Sequence, residues 1–150
     1  MTKFETIYRL FLSSINDYRI RNLFKEDADV ADDLLETFLM RAIHHFKNCK
    51  KPIQDVNFDL KVFNAELDIN EINILADLMV LAWMDWNNNN ILQMNLSLTD
   101  NDFKHFSEEK NLREKTMYAD RLREKVSQDM VDYGLYRTSF KDWAVGNYEL

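Results

Sequence analysis

The spacing of apolar and polar residues along this chain has the period of helices almost from end to end. Phe4, Ile7, Tyr8, Phe11 and Ile15 recur three and four residues apart and predict a first helix with one apolar face. Thr2, with Glu5 three residues on, reads as the capping box that opens it. The period is lost from Asn16 to Asp29, a connector with at most a short helical turn around Ile20 to Phe24. A second helix is expected from about Val30 to Asn48, capped by Asp29, with Leu35, Phe38, Leu39, Ala42, Ile43 and Phe46 as its buried stripe. Its acids (Asp32, Asp33, Glu36) come early and its bases (Arg41, His44, His45, Lys47) late, as the helix dipole favours. Pro52 then forbids continuation and begins a loop through Phe58.

The third helix carries the clearest start signal. Asp68 and Glu71 are spaced for a capping box, and Leu67 and Ile72 for a hydrophobic staple across it. From Ile74 to Trp86 only Asp77 and Asp85 are not apolar, so this helix is expected at the centre, enclosed by the others. Asn87 to Asn90 favour turns and are expected to end it. A fourth helix is expected after Thr99, with Asp102 in its cap and Leu98 stapled onto Phe103. It runs to Tyr133 with a break near Ser107, and Gly134 supplies the stop. Its apolar stripe is narrow (Ala119, Leu122, Val126, Met130, Tyr133), so it should lie on the surface of the bundle or project from it. The fold class predicted is all-α: a bundle of about four main helices over residues 1–134, followed by a C-terminal arm over 135–150. That arm carries Tyr136, Phe140, Trp143 and Tyr148 with no period of its own. Sixteen residues cannot bury four aromatics among themselves, so these four are the expected protein-interface residues.

Composition narrows this picture. Two glycines and one proline among 150 residues leave too little punctuation for the frequent turns of a β-sandwich. The formal charge of −7 repels phosphate, which argues against sequence-specific nucleic acid as a partner. The longest apolar run, Leu78 to Met84, is far short of the roughly 20 residues of a membrane span. Cys49 is the sole cysteine, which suits a reducing interior, and Glu5 and Arg9 interrupt the first apolar stretch where a secretory signal would be unbroken. A protein of the cell interior that does not cross a membrane is expected.

Candidate chemistry is sparse. His45 and Cys49, four residues apart, would share a helix face and supply two metal ligands, but structural zinc takes four and no second pair is present. Asp102 and His105 make one carboxylate-x-x-histidine element, where di-iron bundles use two. No nucleophile elbow, phosphate loop, C-x-x-C or H-E-x-x-H motif occurs. Cys49 lies among Lys47, Lys50 and Lys51, which would favour its thiolate, and with Arg41 these lysines make the only basic cluster. Trp83 and Trp86 read as core. Asp77, one turn from Asn73, draws a polar line across the central helix that needs partners from another helix or subunit. No enzyme, no metal and no cofactor is expected.

Four stretches carry a resemblance: MTKFETIYRLFLSSINDY (1–18), FKNCKK (46–51), FNAELDINEINILADLMVLAWMDW (63–86) and LSLTDNDFKHFSEEKNLREKTMYADRLREKV (96–126). In helix order and apolar pattern they resemble the head-to-tail connector, or adaptor, proteins of tailed bacteriophages, which dock beneath the portal. The resemblance implies a virion structural protein made in the host cytoplasm and present as a ring of about a dozen copies. Its partners would be the portal protein, the neighbouring neck and tail proteins, and further copies of itself. It carries over no active-site residue. The alternative is a small acidic cytoplasmic regulator that inhibits by protein–protein binding, presenting negative surface to a nucleic-acid enzyme.

Overall fold

The computed structural model describes residues 1–15, 18–97 and 102–136, with the side chains of residues 18–19, 91–109 and 136 outside that description. Five helices and a three-stranded sheet make up the described chain. In order they are β1 (Thr2–Lys3), α1 (Phe4–Ser14), α2 (Tyr18–Glu26), α3 (Ala28–His45), β2 (Val56–Asn57), β3 (Val62–Phe63), α4 (Ile69–Ser97) and α5 (Asp102–Tyr136).

The mostly helical character follows from the stripes. Phe4, Ile7, Tyr8, Phe11 and Ile15 are all buried, as are Leu35, Phe38, Leu39, Ala42, Ile43 and Phe46. Helix α4 is enclosed as its composition requires: α1, α3 and α5 all pack on it. From Ile74 to Ala82 only Asp77 escapes burial. On α5, the residues Ala119, Val126 and Tyr133 are buried at seven-residue intervals. Half-buried Leu122 and Met130 fill in between them. That is a narrow seam of the coiled-coil kind, one face of an otherwise polar helix.

Several boundaries differ from the sequence reading, each for a physical reason. Thr2 does not cap α1. It lies in β1, paired with Phe63, and its hydroxyl accepts from the Leu67 amide at 2.8 Å. Glu5 accordingly pairs with Arg9 one turn along the helix. The expected connector holds a nine-residue helix, α2, packed on α3. Helix α3 begins two residues early because Asp27 is the cap, accepting from the Asp29 and Val30 amides at 3.2 Å. It ends at His45, where the Phe46 amide closes on the Ala42 carbonyl. The Asp68–Glu71 capping box is formed in both directions: Asp68 accepts from the Glu71 amide at 3.0 Å, and Glu71 from the Asp68 amide at 2.8 Å.

The sheet is short but well placed. Its order is β1-β3-β2, antiparallel throughout. The β2–β3 turn is held by the Asn57 side chain, which accepts from the Leu60 amide at 3.0 Å. Lys61 takes a left-handed φ of 52° there, which a side chain with a Cβ adopts at some cost. Its ammonium meets Asp32 of α3 at 2.8 Å, tying the hairpin to the helical body. Phe4 enters α1 directly from this sheet, its ring against Phe63 at 5.1 Å and Phe58 at 6.1 Å.

The Asn87–Asn90 run does not end α4, and α5 is continuous through Ser107. Asn87 is buried, and tertiary packing outweighs the few tenths of a kcal/mol by which each asparagine disfavours helix. Helices of 29 and 35 residues span about 44 Å and 52 Å, against about 27 Å for the 18-residue α3. These two are thus the longest of the described elements. The expected Asp102 cap and Leu98–Phe103 staple rest on Leu98 and on side chains that lie outside the described residues.

Gly134 is not the stop expected of it, because α5 continues to Tyr136. A Cβ built there meets nothing closer than the Asn48 side-chain Nδ2 at 3.6 Å, an ordinary contact. Gly134→Ala should therefore raise stability by about 0.5–1 kcal/mol in urea titration, by removing conformational freedom from the unfolded chain. A glycine serving as a left-handed stop would give a loss instead.

Candidate functional site

Of the four interface residues expected from sequence, Tyr136 is the last helical residue of α5, with its side chain outside the described set. Phe140, Trp143 and Tyr148 lie wholly outside the described residues.

The His45–Cys49 pair does not exist as a helix face, because α3 ends before Cys49. His44 and His45 instead set their rings edge to face at 5.5 Å on the exposed end of α3. Cys49 turns inward, its sulfur 3.8 Å from the Tyr133 hydroxyl. Burial pushes its thiol pKa up, ahead of the lowering effect of nearby hydrogen bonds and Lys51, which reverses the activation expected from the lysines. Among the described residues no three histidine, cysteine, aspartate or glutamate side chains gather to hold a metal ion. No described helix is long and apolar enough to cross a membrane.

The polar line on α4 is answered from α5. Lys125 reaches Asp77 at 2.8 Å and Asp129 at 3.6 Å, and the bond to Asp77 is the largest cause raising its ammonium pKa. Arg123 likewise links Asp120 at 2.7 Å to Asp85 of α4 at 3.3 Å. Asp77, Lys125 and Asp129 border an open groove of about 690 Å³ between α1, α4 and α5. A second groove, of about 300 Å³, lies between Trp83, Met84 and Asn87 on α4 and Asn111, Glu114 and Tyr118 on α5. Trp86 turns to the core, its ring 6.0 Å from Phe38.

The most elaborate constellation is one that sequence reasoning assembled only in part. Glu71, at the start of α4, is completely buried. Its carboxylate is answered by Lys51 at 2.8 Å, the Asp68 amide at 2.8 Å and the Tyr133 hydroxyl at 2.8 Å. That hydroxyl in turn accepts from the Lys50 amide at 3.2 Å. Lys51 also donates to the Glu66 carbonyl at 2.7 Å, and Asn48 donates to the Met130 carbonyl at 2.7 Å. The Tyr133 ring stacks edge-on against Phe46 at 5.3 Å. The loop after α3, the start of α4 and the far end of α5 thus meet at one carboxylate. Chemically this is a closed set: the carboxylate has three partners, and burial pushes the pKa of both phenol and thiol up. It fixes geometry. The capping-box spacing disclosed Glu71 and Asp68. Nothing local disclosed Lys51 and Tyr133, which lie 20 and 62 residues away from Glu71 in the chain.

No protein-family model, curated protein or solved structure matches this chain.

Two buried tyrosines separate the effect of a bonded hydroxyl from that of an orphan one. Tyr8 Oη is buried with no hydrogen-bond partner among the described residues. Tyr133→Phe should cost about 1–3 kcal/mol, by stranding Glu71 and the Lys50 amide, whereas Tyr8→Phe should be neutral or stabilising. Both phenols have pKa values raised above the ordinary value near 10, chiefly by burial. The unfolded chain therefore loses these protons first, so stability is full below about pH 10 and falls as pH rises beyond it. Urea midpoints measured across that range check this, with a shallower fall expected in each phenylalanine variant.

Proposed function

We propose that this chain is a virion structural protein, a subunit of the head-to-tail connector ring that docks beneath the portal of a tailed bacteriophage. The observation that carries the reading is the long α4–α5 hairpin. Its two helices are longer than any other described element, and α5 leaves Met117, Tyr118, Val131 and Leu135 exposed along it. A subunit that stacks side by side with its neighbours needs such a flank, and exposed apolar side chains spread along a polar helix supply contact area without a catalytic pocket. The resemblance of the four sequence stretches to connector proteins supports the same reading. In it the helical bundle ends in a C-terminal arm, and Tyr136, Phe140, Trp143 and Tyr148 are the docking anchors, since aromatic side chains dominate interface energies. The partners are the portal protein, neighbouring neck or tail proteins, and about a dozen copies of the chain itself.

Assembly on a symmetric template needs only weak contacts between neighbours, because the template supplies a high effective concentration. The isolated chain should therefore sediment as a monomer at micromolar concentration. Co-expression with the portal protein of the same virus should yield a portal carrying an added ring, visible by electron microscopy. Ending the chain after Tyr136 should abolish that ring while leaving the melting temperature of the isolated protein nearly unchanged. A full-length chain that never co-purifies with portal would overturn the reading. A truncated chain that melts much earlier would show that the aromatics are core and not anchors.

A further inference from the structure

The outward face of α3 carries opposite charges at equal distances on either side of its midpoint, so that it is complementary to itself when reversed. Thr37, exposed, sits at its midpoint. Asp33 lies four residues before it and Arg41 four after, both exposed, about 40° to either side of Thr37 at 100° per residue. Val30 and His44 lie seven residues before and after, about 20° from the same line. Val30 is 49% exposed, and Met40, beside Arg41, is 52% exposed. Among the described residues neither Asp33 nor Arg41 forms an ion pair within its own chain. The face therefore offers one unpaired acid, one unpaired base and two solvent-exposed apolar side chains about a small central residue.

We propose that this face takes a second copy of the same chain, α3 against α3, antiparallel about a two-fold axis at Thr37. An antiparallel pair places Asp33 of each copy beside Arg41 of the other, twice over, and packs Val30 against the His44 ring. The small threonine lets the two backbones approach at the axis. A parallel pair would set aspartate against aspartate and arginine against arginine, so the charges specify orientation as well as partner. The contact is isologous, and it stands whether or not the connector reading holds. It is also weak. One 18-residue helix face, about 27 Å by about 10 Å, presents a few hundred Å², below the roughly 800 Å² per partner of a standard stable interface. A contact of this size is of the weak class, which leaves the protein monomeric at micromolar concentration.

The test is sedimentation equilibrium of the full chain from about 10 µM to about 1 mM. It compares the native protein, Asp33→Arg, Arg41→Asp, and an equimolar mixture of the two variants. Each single variant carries like charges at both crossings and should associate at least about tenfold more weakly than the native protein. In the mixture every crossing again pairs arginine with aspartate, so heterodimers should form at native strength or better. Three results would overturn the proposal: a native protein that stays monomeric to the highest concentration, single variants that associate as the native protein does, or a mixture that recovers nothing. Both substitutions lie on the exposed face, and a melting curve of each variant verifies that any loss of association is not a loss of fold.

Discussion

A carboxylate with no access to water sets the terms for the rest of this molecule. Glu71 is fully buried, and an uncompensated charge in that position would cost several kcal/mol. Compensation comes from three places far apart in sequence: Lys51 after α3, the Asp68 amide at the mouth of α4, and Tyr133 near the end of α5. Because each donor must be in place for the charge to be tolerated, the node joins the α3–β2 loop to both ends of the α4–α5 hairpin's base. Cys49 turns inward beside the same tyrosine, and burial pushes its thiol pKa up, against the activation its neighbouring lysines would give.

From that base the hairpin extends. The buried seam Ala119, Val126 and Tyr133 lays α5 along α4, while Lys125 and Arg123 clip onto Asp77 and Asp85. Those exposed ion pairs add modest energy but fix which way the helix is rotated about its axis. The result is a firmly rooted rod with polar flanks and scattered apolar contacts, well suited to lying against neighbours. The outer face of α3, with its acid, base and apolar side chains about Thr37, is a second and separate surface of the same kind.

What was legible in the sequence was whatever is local. The apolar stripes of α1 and α3 and the enclosed stretch of α4 follow from spacing alone, and the Asp68–Glu71 box was readable because both its partners lie within one turn. The misreadings come from longer range. Thr2 looked like a cap until the Val62–Phe63 strand gave it a better partner, and two-residue strands are too short to show a period. The asparagine run looked like a stop because intrinsic propensity omits the packing that buries Asn87. Gly134 looked like a terminus because glycine usually is one. The Glu71 node was half hidden for the same reason: Lys51 read as part of a basic cluster and Tyr133 as the end of an apolar stripe, and only the fold brings them together.

A double-mutant cycle on Lys51 and Glu71 tests most directly whether this node governs the fold. Lys51→Met and Glu71→Leu are made singly and together, and unfolding free energies are measured in urea. Lys51→Met strands a buried carboxylate and should cost about 3–5 kcal/mol, and Glu71→Leu should be costly too because it removes the acceptor of the Tyr133 hydroxyl and the nearest carboxylate of Lys51. The double variant should then be far less destabilised than the sum, with a coupling of at least about 2 kcal/mol. Additive effects within about 0.5 kcal/mol would contradict the account and reduce the node to an ordinary surface ion pair.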